Sequence, residues 1–191
     1  MKIAVLAVQG AFVEHEKVLQ ELGAGTLQLR KSSDLDNDFD GLILPGGEST
    51  VQGKLLQELG MMNAIRDRIK NGLPIFGTCA GLILLAEKIA GEDAHHIGTL
   101  PVTVKRNAYG RQLGSFHYEQ GTFQGIGTFP MEFIRAPYVE SISDDVEILA
   151  SVEGRIVGVQ YKNQFAVAFH PELGGDHRIH KYFLERICAK N

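Results

Sequence analysis

The sequence predicts an α/β fold in which a mostly parallel central sheet is flanked by helices, with additional antiparallel strands in the C-terminal half. As far as Gly91, apolar runs of strand length alternate with amphipathic segments of helical period, which is typical of a parallel sheet covered on both faces. After Gly91 the segments are short and rich in glycine and β-branched residues, which favours mixed or antiparallel strands. A chain of 191 residues is long enough for one well-cored domain and short for two. We therefore expect a single domain over residues 1–191.

Two predicted β-α units open the chain. Apolar runs predict strands at 3–8, 26–30, 41–44 and 73–76. Helical periodicity predicts helices at 12–22 and 62–69. A further helix is expected to be capped by Ser49 or Thr50 and to end at Leu59. The acidic segment 34–38 is most simply a solvated loop.

Six predicted strands and a closing helix make up the second half. The strands are expected at 99–104, 114–118, 131–136, 146–152, 155–160 and 165–170. From His177 onward, Ile179, Phe183 and Ile187 recur at four-residue spacing, which predicts a helix with one apolar face. Cys188 belongs to that helix and is expected to be structural.

Composition excludes several classes of protein. Apolar residues make up 44% and charged residues 22%, which argues against disorder. A net charge of −4 with scattered lysines and arginines gives no support for nucleic-acid binding. No apolar run approaches the roughly 18 residues that a membrane span needs. With only two cysteines, Cys79 and Cys188, and no signal-peptide pattern after Met1, the expected setting is reducing and cytoplasmic.

A glycine-flanked cysteine lies at a predicted strand-turn-helix junction. Segment 77–81 follows the strand at 73–76 and precedes an apolar helix at 82–86, so the turn can hold Cys79 in a strained, exposed position. Helix N-termini favour thiolates, and the N–H of Ala80 is placed to face a developing oxyanion. The alternative is a small buried thiol in an ordinary turn, because this motif is short and arises by chance.

The last predicted strand ends in His170, and a glutamate follows two residues later. Residues at this spacing on an extended chain point the same way, so Glu172 can orient the imidazole of His170. A histidine standing alone would more often be a structural cap on the strand. Together with Cys79, the pair supplies the nucleophile, base and orienting acid that activated-thiol catalysis requires.

The loop at 45–50 is predicted to share an edge of the sheet with Cys79. It follows the strand at 41–44, and the carboxyl ends of parallel strands lie at one edge. Its consecutive glycines, Gly46 and Gly47, can turn N–H groups toward a ligand. An ordinary glycine turn is the alternative.

The remaining histidines do not predict a metal site. Adjacent histidines without a matching carboxylate or cysteine set are weak evidence for metal binding, and solvated loop histidines are the more common case. We therefore expect no metal ligand among these residues: His95, His96, His117, His177 and His180.

Six segments together closely resemble the glutaminase subunits of pyridoxal 5′-phosphate synthase, a family of class I glutamine amidotransferases with a flavodoxin-like fold. The resemblance runs the whole length of the chain. It rests on residues 9–12, 45–50, 77–81, 106–112, 133–137 and 169–173. One departure is Gly174-Gly175, where relatives often carry a hydroxyl or acidic residue, and it touches no catalytic position.

The resemblance implies glutamine hydrolysis through a cysteine thioester. Cys79 would attack the amide carbon of L-glutamine, His170 would pass a proton to the departing ammonia, and Glu172 would orient His170. Gly47 and Ala80 would supply oxyanion donors. The residues implied to bind glutamine are Gly47, Glu48, Ser49, Arg106, Ile134 and Arg135. From the local pattern alone, Arg106 would be a surface charge at a strand end.

The resemblance also implies a partner and no cofactor. In this family, ammonia passes to a synthase subunit in a hetero-oligomer, and the coenzyme is the product of that complex. Two other functions fit the cysteine motif and triad. One is a cysteine hydrolase of another kind, such as a peptidase or esterase. The other is a non-catalytic subunit that regulates a synthase by docking on it.

Overall fold

A mixed sheet of twelve strands forms the framework of the computed structural model, which describes residues 1–93, 96–106 and 114–189. The first half contains β1 (Lys2–Leu6), α1 (Phe12–Glu21), β2 (Gly25–Leu29), β3 (Gly41–Leu44), α2 (Ser49–Glu58), α3 (Met62–Lys70), β4 (Ile75–Thr78), α4 (Ala80–Leu85) and β5 (Ala86–Ile89). The second half contains β6 (Leu100–Lys105), β7 (Ser115–Phe123), β8 (Gly127–Ile134), β9 (Tyr138–Ile142), β10 (Glu147–Val152), β11 (Arg155–Tyr161), β12 (Gln164–Val167) and α5 (Arg178–Tyr182). A 3₁₀ helix spans Ser32–Asp36, and α5 continues as a π-helix over Phe183–Cys188.

The sheet is parallel at one end and antiparallel at the other. Strands β2, β1, β3, β4 and β12 follow one another in parallel. From β12 onward, β11, β10, β7 and β8 continue the sheet in antiparallel pairs. The predicted fold class is therefore confirmed, including the change from parallel to antiparallel strands in the second half.

The core lies on both faces of the parallel strands. Strands β3, β4 and β12 are buried at every residue, as expected for strands covered by helices on both sides. Phe76 of β4 stacks on Phe165 of β12, with ring centroids 4.6 Å apart. Phe183 of the closing helix also packs against Phe76, with ring centroids 5.5 Å apart. The predicted apolar face of the closing helix is buried at Ile179, Phe183 and Ile187.

Several element boundaries differ from the predictions. Strand β12 ends at Val167 rather than at His170, because its last pairing partner is Thr78, where β4 gives way to the turn at Cys79. Residues 34–38 were predicted as a solvated loop, but the 3₁₀ helix includes part of them and buries Leu35. The apolar run at 82–86 was predicted to be helical throughout, but Ala86 leaves α4 and pairs with Leu100 as the first residue of β5. Strand β9 was not predicted, since only two of its five residues, Val139 and Ile142, are aliphatic.

The carboxyl ends of β1, β3 and β4 meet at one edge of the sheet. The parallel register places the loops that follow these strands side by side. The loop after β3 contains Gly46 and Gly47, and the turn after β4 contains Cys79. In the described residues, no helix is both long and apolar enough to cross a membrane.

Candidate active site

Cys79 occupies a strained turn between β4 and α4. Its φ of 48° and ψ of −98° lie in a region that costs a residue other than glycine about 1–3 kcal/mol, and such strain clusters at active sites. The Cys79 N–H donates to the carbonyl of Val167 at 2.9 Å, which holds the turn against β12. The start of α4 approaches the end of β3 so closely that position 81 must be glycine. A Cβ there would overlap the carbonyl oxygen of Leu44 and lie 2.9 Å from its carbonyl carbon. The predicted strand-turn-helix arrangement is present, but the predicted exposure of Cys79 is wrong, because the residue is buried with 6% of its surface accessible.

His170 and Glu172 lie just beyond the end of β12 as a buried pair. Nδ1 of His170 is 2.7 Å from Oε1 of Glu172. The backbone N–H of His170 donates to the backbone carbonyl of Glu132 at 2.8 Å, which ties this segment to β8. The carboxylate accepts only, so it fixes the proton of His170 on Nδ1 whenever the imidazole is neutral.

The environment favours the charged forms of both members of the pair. Burial disfavours the imidazolium, but interactions with Cys79 and Glu172 raise the pKa of His170 to about 10. Burial also disfavours the carboxylate, but the neighbouring His15 and the hydrogen bond with His170 lower the pKa of Glu172 below its usual value. At neutral pH the pair is therefore an imidazolium facing a carboxylate.

The Cys79 sulfur also lies beside the carbonyl of Ile134. Its Sγ lies 3.8 Å from the carbonyl oxygen of Ile134, and Nε2 of His170 has no hydrogen-bond partner among the described residues. Catalytic hydrogen bonds are often long or misaligned before substrate binds.

A cavity of about 540 Å³ opens over Cys79 and His170. This volume is in the range of small-molecule sites. Besides the cysteine and histidine, its lining includes every residue predicted to bind glutamine: Gly47, Glu48, Ser49, Arg106, Ile134 and Arg135. The structure therefore brings the predicted site residues together from five separate segments, and their individual roles stay predictions.

Arg106 stands at the mouth of the cavity and is held by two glutamates. Its guanidinium lies 3.1 Å from Glu92 and 3.6 Å from Glu48, and about four fifths of the side chain is buried. The rest of the predicted motif after Arg106, residues 107–112, lies outside the described residues. Arg135 has a φ of 46°, and its N–H donates to the carbonyl of Gly114.

The loop after β3 is anchored on two sides. The Gly46 N–H donates to Oγ1 of Thr78 at 2.9 Å, and the Gly46 carbonyl accepts from the N–H of Ala11 at 3.0 Å. The Glu48 N–H donates to Oε1 of Gln9 at 2.9 Å. These bonds fix the orientation of the peptide that joins Gly46 to Gly47. The other predicted oxyanion donor, Ala80, is the first residue of α4, where backbone N–H groups have no partner within the helix.

A polar network behind the triad was missed by the sequence analysis. His15, Thr78 and His180 are fully buried and lie in contact behind Glu172. The expectation that His180 is a solvated histidine is wrong, because α5 packs it against His15 and Phe76. A signal for His15 was present, since it shares a helical face with Val18 and Leu19, both buried.

Buried Gln52 was also missed by the sequence analysis. Its side-chain amide donates to the backbone carbonyls of Gln9 and Pro45.

Two of the other predicted surface histidines, His117 and His177, have carboxylate neighbours. His117 bonds to Glu132 and lies 2.9 Å from Glu119, and His177 lies 3.5 Å from Glu21. His95 lies outside the described residues. Across residues 1–93, 96–106 and 114–189, no group of three histidine, cysteine or carboxylate side chains is arranged to hold a metal ion.

Comparison with known proteins places this site in a family. Residues 5–189 match the model of the SNO glutamine amidotransferase family. The chain is 62% identical to pyridoxal 5′-phosphate synthase subunit PdxT of Desulfitobacterium hafniense over 99% of its own length and 94% of that protein. It is 53% identical to the protein of the same name from Streptococcus pneumoniae over 100% of this chain and 99% of that one. A crystal structure of a glutamine amidotransferase superposes with a TM-score of 0.91 at 43% identity, covering 96% of this chain and 97% of the other.

Proposed function

The chain belongs to the SNO glutamine amidotransferase family, and from that premise we propose that it is the glutaminase subunit of a pyridoxal 5′-phosphate synthase. It hydrolyses L-glutamine to L-glutamate and ammonia, and it supplies the ammonia to a synthase subunit. The observation that carries the proposal is the cavity in which Cys79 at its strained turn faces His170, itself paired with Glu172 at 2.7 Å.

The reaction begins with attack by the cysteine on the side-chain amide of glutamine. After its thiol proton has passed to Nε2 of His170, the Cys79 sulfur forms a bond to the amide carbon, and the carbonyl oxygen becomes an oxyanion. The C–N bond then breaks, and His170 gives its Nε2 proton to the departing ammonia. Because the pKa of His170 is raised to about 10, this proton is already in place at neutral pH. Water next attacks the thioester, with His170 as general base, and releases glutamate.

Two backbone N–H groups are proposed to stabilise the oxyanion. The Ala80 N–H lies at the start of α4, directly after the nucleophile. Gly47 lines the same cavity, and its N–H belongs to the peptide whose carbonyl accepts from Ala11. A single donor of this kind typically contributes about 10²–10³ in rate, so the orientation of the Gly47 peptide strongly affects turnover.

Charged side chains at the cavity match the two charged groups of free glutamine. Arg106 and Arg135 are arginines of the cavity lining and suit the α-carboxylate, and Glu48 is a carboxylate that suits the α-ammonium. When glutamine binds, the Arg106 guanidinium gives up part of its contact with Glu48 and pairs with the α-carboxylate of the substrate. Ser49 and the segment at Ile134 complete the wall beside the amide.

The proposed synthase subunit docks where it can act on the loop after β3. The Gly46-Gly47 peptide is bonded through its carbonyl to Ala11, and Glu48 is bonded to Gln9. A partner that moves the segment at Gln9 would therefore move the loop, and the partner thereby gates the Gly47 donor. We also propose a cytoplasmic location, since both cysteines are free and the nucleophile needs a reducing setting.

Ammonia release from glutamine, measured with and without the synthase subunit, tests the function. We expect glutamine to be hydrolysed by the complex, and asparagine and activated esters to be poor substrates. Faster turnover of an ester or peptide would favour a cysteine hydrolase of another kind. If glutamine is not turned over even with the partner bound, the chain is a regulatory subunit instead.

A further inference from the structure

A second imidazole contacts the catalytic carboxylate from behind. Oε1 of Glu172 is bonded to His170, whereas Oε2 faces Nε2 of His15 at 3.5 Å. The side chains of His15 and Glu172 are both fully buried. Among the described residues, Oε2 has no partner at ordinary hydrogen-bond length. A buried carboxylate oxygen needs a donor, and Nε2 of His15 can present one.

Nε2 of His15 also faces the strand that leads to the nucleophile. It lies 3.1 Å from Oγ1 of Thr78, the residue before Cys79. The same hydroxyl accepts the Gly46 N–H at 2.9 Å. One imidazole from α1 therefore contacts both the triad acid and the hydroxyl that holds the loop after β3.

The proton positions follow from the partners of the two buried histidines. Nδ1 of His15 is 2.8 Å from Nε2 of His180, so one of these nitrogens donates and the other accepts. If His15 carried its proton on Nδ1, its Nε2 lone pair would face the carboxylate. The Nδ1–H of His180 would then be a buried donor, and this atom has no partner among the described residues. Unpaired buried donors are rarer than unpaired acceptors, so the other arrangement is favoured.

In the favoured arrangement the protons run in one direction. His180 donates its Nε2–H to Nδ1 of His15, and His15 donates its Nε2–H toward Glu172 and Thr78. Both rings are neutral. Burial lowers the pKa of His15 and outweighs the attraction of Glu172, and burial lowers the pKa of His180 still further. The titratable groups around this pair are Glu14, Glu172, His170 and His177.

We infer that His15 is a positioning residue of the glutaminase: as a neutral Nε2–H imidazole oriented by His180, it holds the second oxygen of Glu172 and, through Thr78, the loop that bears Gly47. The inference rests on the function proposed above and adds a residue to it. His15 touches neither substrate nor the reacting atoms. It acts by fixing the carboxylate that orients His170, and misplacement of a catalytic group by about 1 Å can cost 10²-fold in rate.

The proton arrangement is tested directly by NMR of the intact chain labelled with ¹⁵N-histidine. His15 is assigned from the signals that disappear in His15→Gln. We expect a neutral ring at pH 7 with the proton on Nε2 and a bare Nδ1. A charged ring, or a neutral ring with its proton on Nδ1, overturns the inference. This measurement is made on the wild-type chain and needs no enzymatic activity.

Kinetics with the synthase subunit present test the consequence. His15→Phe removes the donor and keeps a planar ring, and we expect kcat to fall about tenfold to a hundredfold with KM within about twofold. His15→Gln keeps an N–H donor at the end of the side chain and should recover most of kcat. A His15→Phe protein with the wild-type kcat overturns the inference, as does a glutamine variant no faster than the phenylalanine variant.

A matched control separates positioning from general destabilisation. Gln164 is also buried, and it bonds to Thr99 at the far end of β12 from the site. Gln164→Met should lower the melting temperature without lowering kcat. Wild-type turnover is the common reference. If the wild-type complex does not hydrolyse glutamine, the proposed function is wrong. If the wild-type complex is active and His15→Phe has the same kcat, only the role of His15 is contradicted.

Discussion

Gly46 lies directly against the catalytic imidazole of His170. A Cβ at position 46 would overlap Cε1 of that ring and lie 2.8 Å from its Nδ1. The contact joins the loop after β3 to the base of the triad, so the loop and the imidazole cannot move independently. Glycine at this position is required by the close approach of two catalytic elements rather than by an unusual backbone angle.

Replacing Gly46 with alanine is therefore expected to inactivate the enzyme. The added methyl group must displace either the His170 ring or the loop, and either shift misaligns the site by enough to cost about 10²-fold or more. Ammonia release from glutamine with the synthase subunit present measures the loss. Gly175→Ala is the control, because a Cβ there meets no atom within 4 Å and turnover should be unchanged. Equal turnover in both variants would contradict the assigned contact.

The sequence was sufficient to predict how the site's main elements fit together. Apolar runs predicted the parallel strands, and shared strand ends predicted that the loop at 45–50 would meet the turn at Cys79. The pair formed by His170 and Glu172 followed from its two-residue spacing. These features depend on local pattern and on the geometry of parallel sheets, which sequence encodes directly.

What lies behind the triad could not be predicted in the same way. His15 and His180 are 165 residues apart, and they meet only because α1 and α5 pack on the same face of the sheet. His180 appears in sequence as a single histidine on an amphipathic helix, where a solvated position is equally consistent. The helical face that His15 shares with Val18 and Leu19 indicates burial but not which residues it meets. Strand β12 ended earlier than predicted for a similar reason, since its length depends on where its partner β4 stops.

Replacing Cys79 with alanine should abolish glutamine turnover. Loss of a nucleophile that works as a unit with its base costs about 10⁶ in triad enzymes. The acyl-enzyme position is checked by covalent labelling with a glutamine-like electrophile followed by peptide mass spectrometry. The matched variant is Cys188→Ala, since burial raises the pKa of that thiol to about 12 and keeps it unreactive. Label retained in the Cys79→Ala protein would refute the assignment.

Glu172→Gln should impair turnover by about 10²–10⁴, less than loss of the nucleophile, because the carboxylate orients rather than transfers the proton. Its effect on stability should depend on pH. The pKa of His170 is raised from 6.5 to about 10, so the stabilisation from its charged form is complete below pH 6.5 and is lost as pH rises through about 10. Urea unfolding near pH 6 and pH 10 checks this. The difference in unfolding free energy between wild type and variant should be larger near pH 6 than near pH 10. Equal differences at the two pH values would show that the His170–Glu172 pair is not coupled to folding.

Arg106→Ala is expected to weaken glutamine binding more than it slows the chemical step. The guanidinium is mostly buried beside Glu48 and Glu92 at the cavity mouth, which places it within reach of a substrate carboxylate. Saturation kinetics with the partner present should show a raised KM with a smaller change in kcat. Lys105→Ala is the control, since that side chain pairs with Glu140 on the surface. Unchanged glutamine saturation in Arg106→Ala would assign the residue to the surface or to the subunit interface.

The synthase subunit is expected to accelerate glutamine hydrolysis by controlling the Gly47 N–H. Orientation of this peptide depends on the bond from Ala11 to Gly46, and the next residue, Glu48, is bonded to Gln9. Since one oxyanion donor is worth about 10²–10³ in rate, turnover by the complex should exceed that of the isolated chain by a factor in this range. Gln9→Leu removes the side-chain acceptor for Glu48 and should reduce the acceleration. Alkylation of Cys79 by iodoacetamide should be unaffected in that variant, because the triad is intact. Equal turnover by the isolated chain and the complex at saturating glutamine would rule out gating while leaving the triad assignment in place.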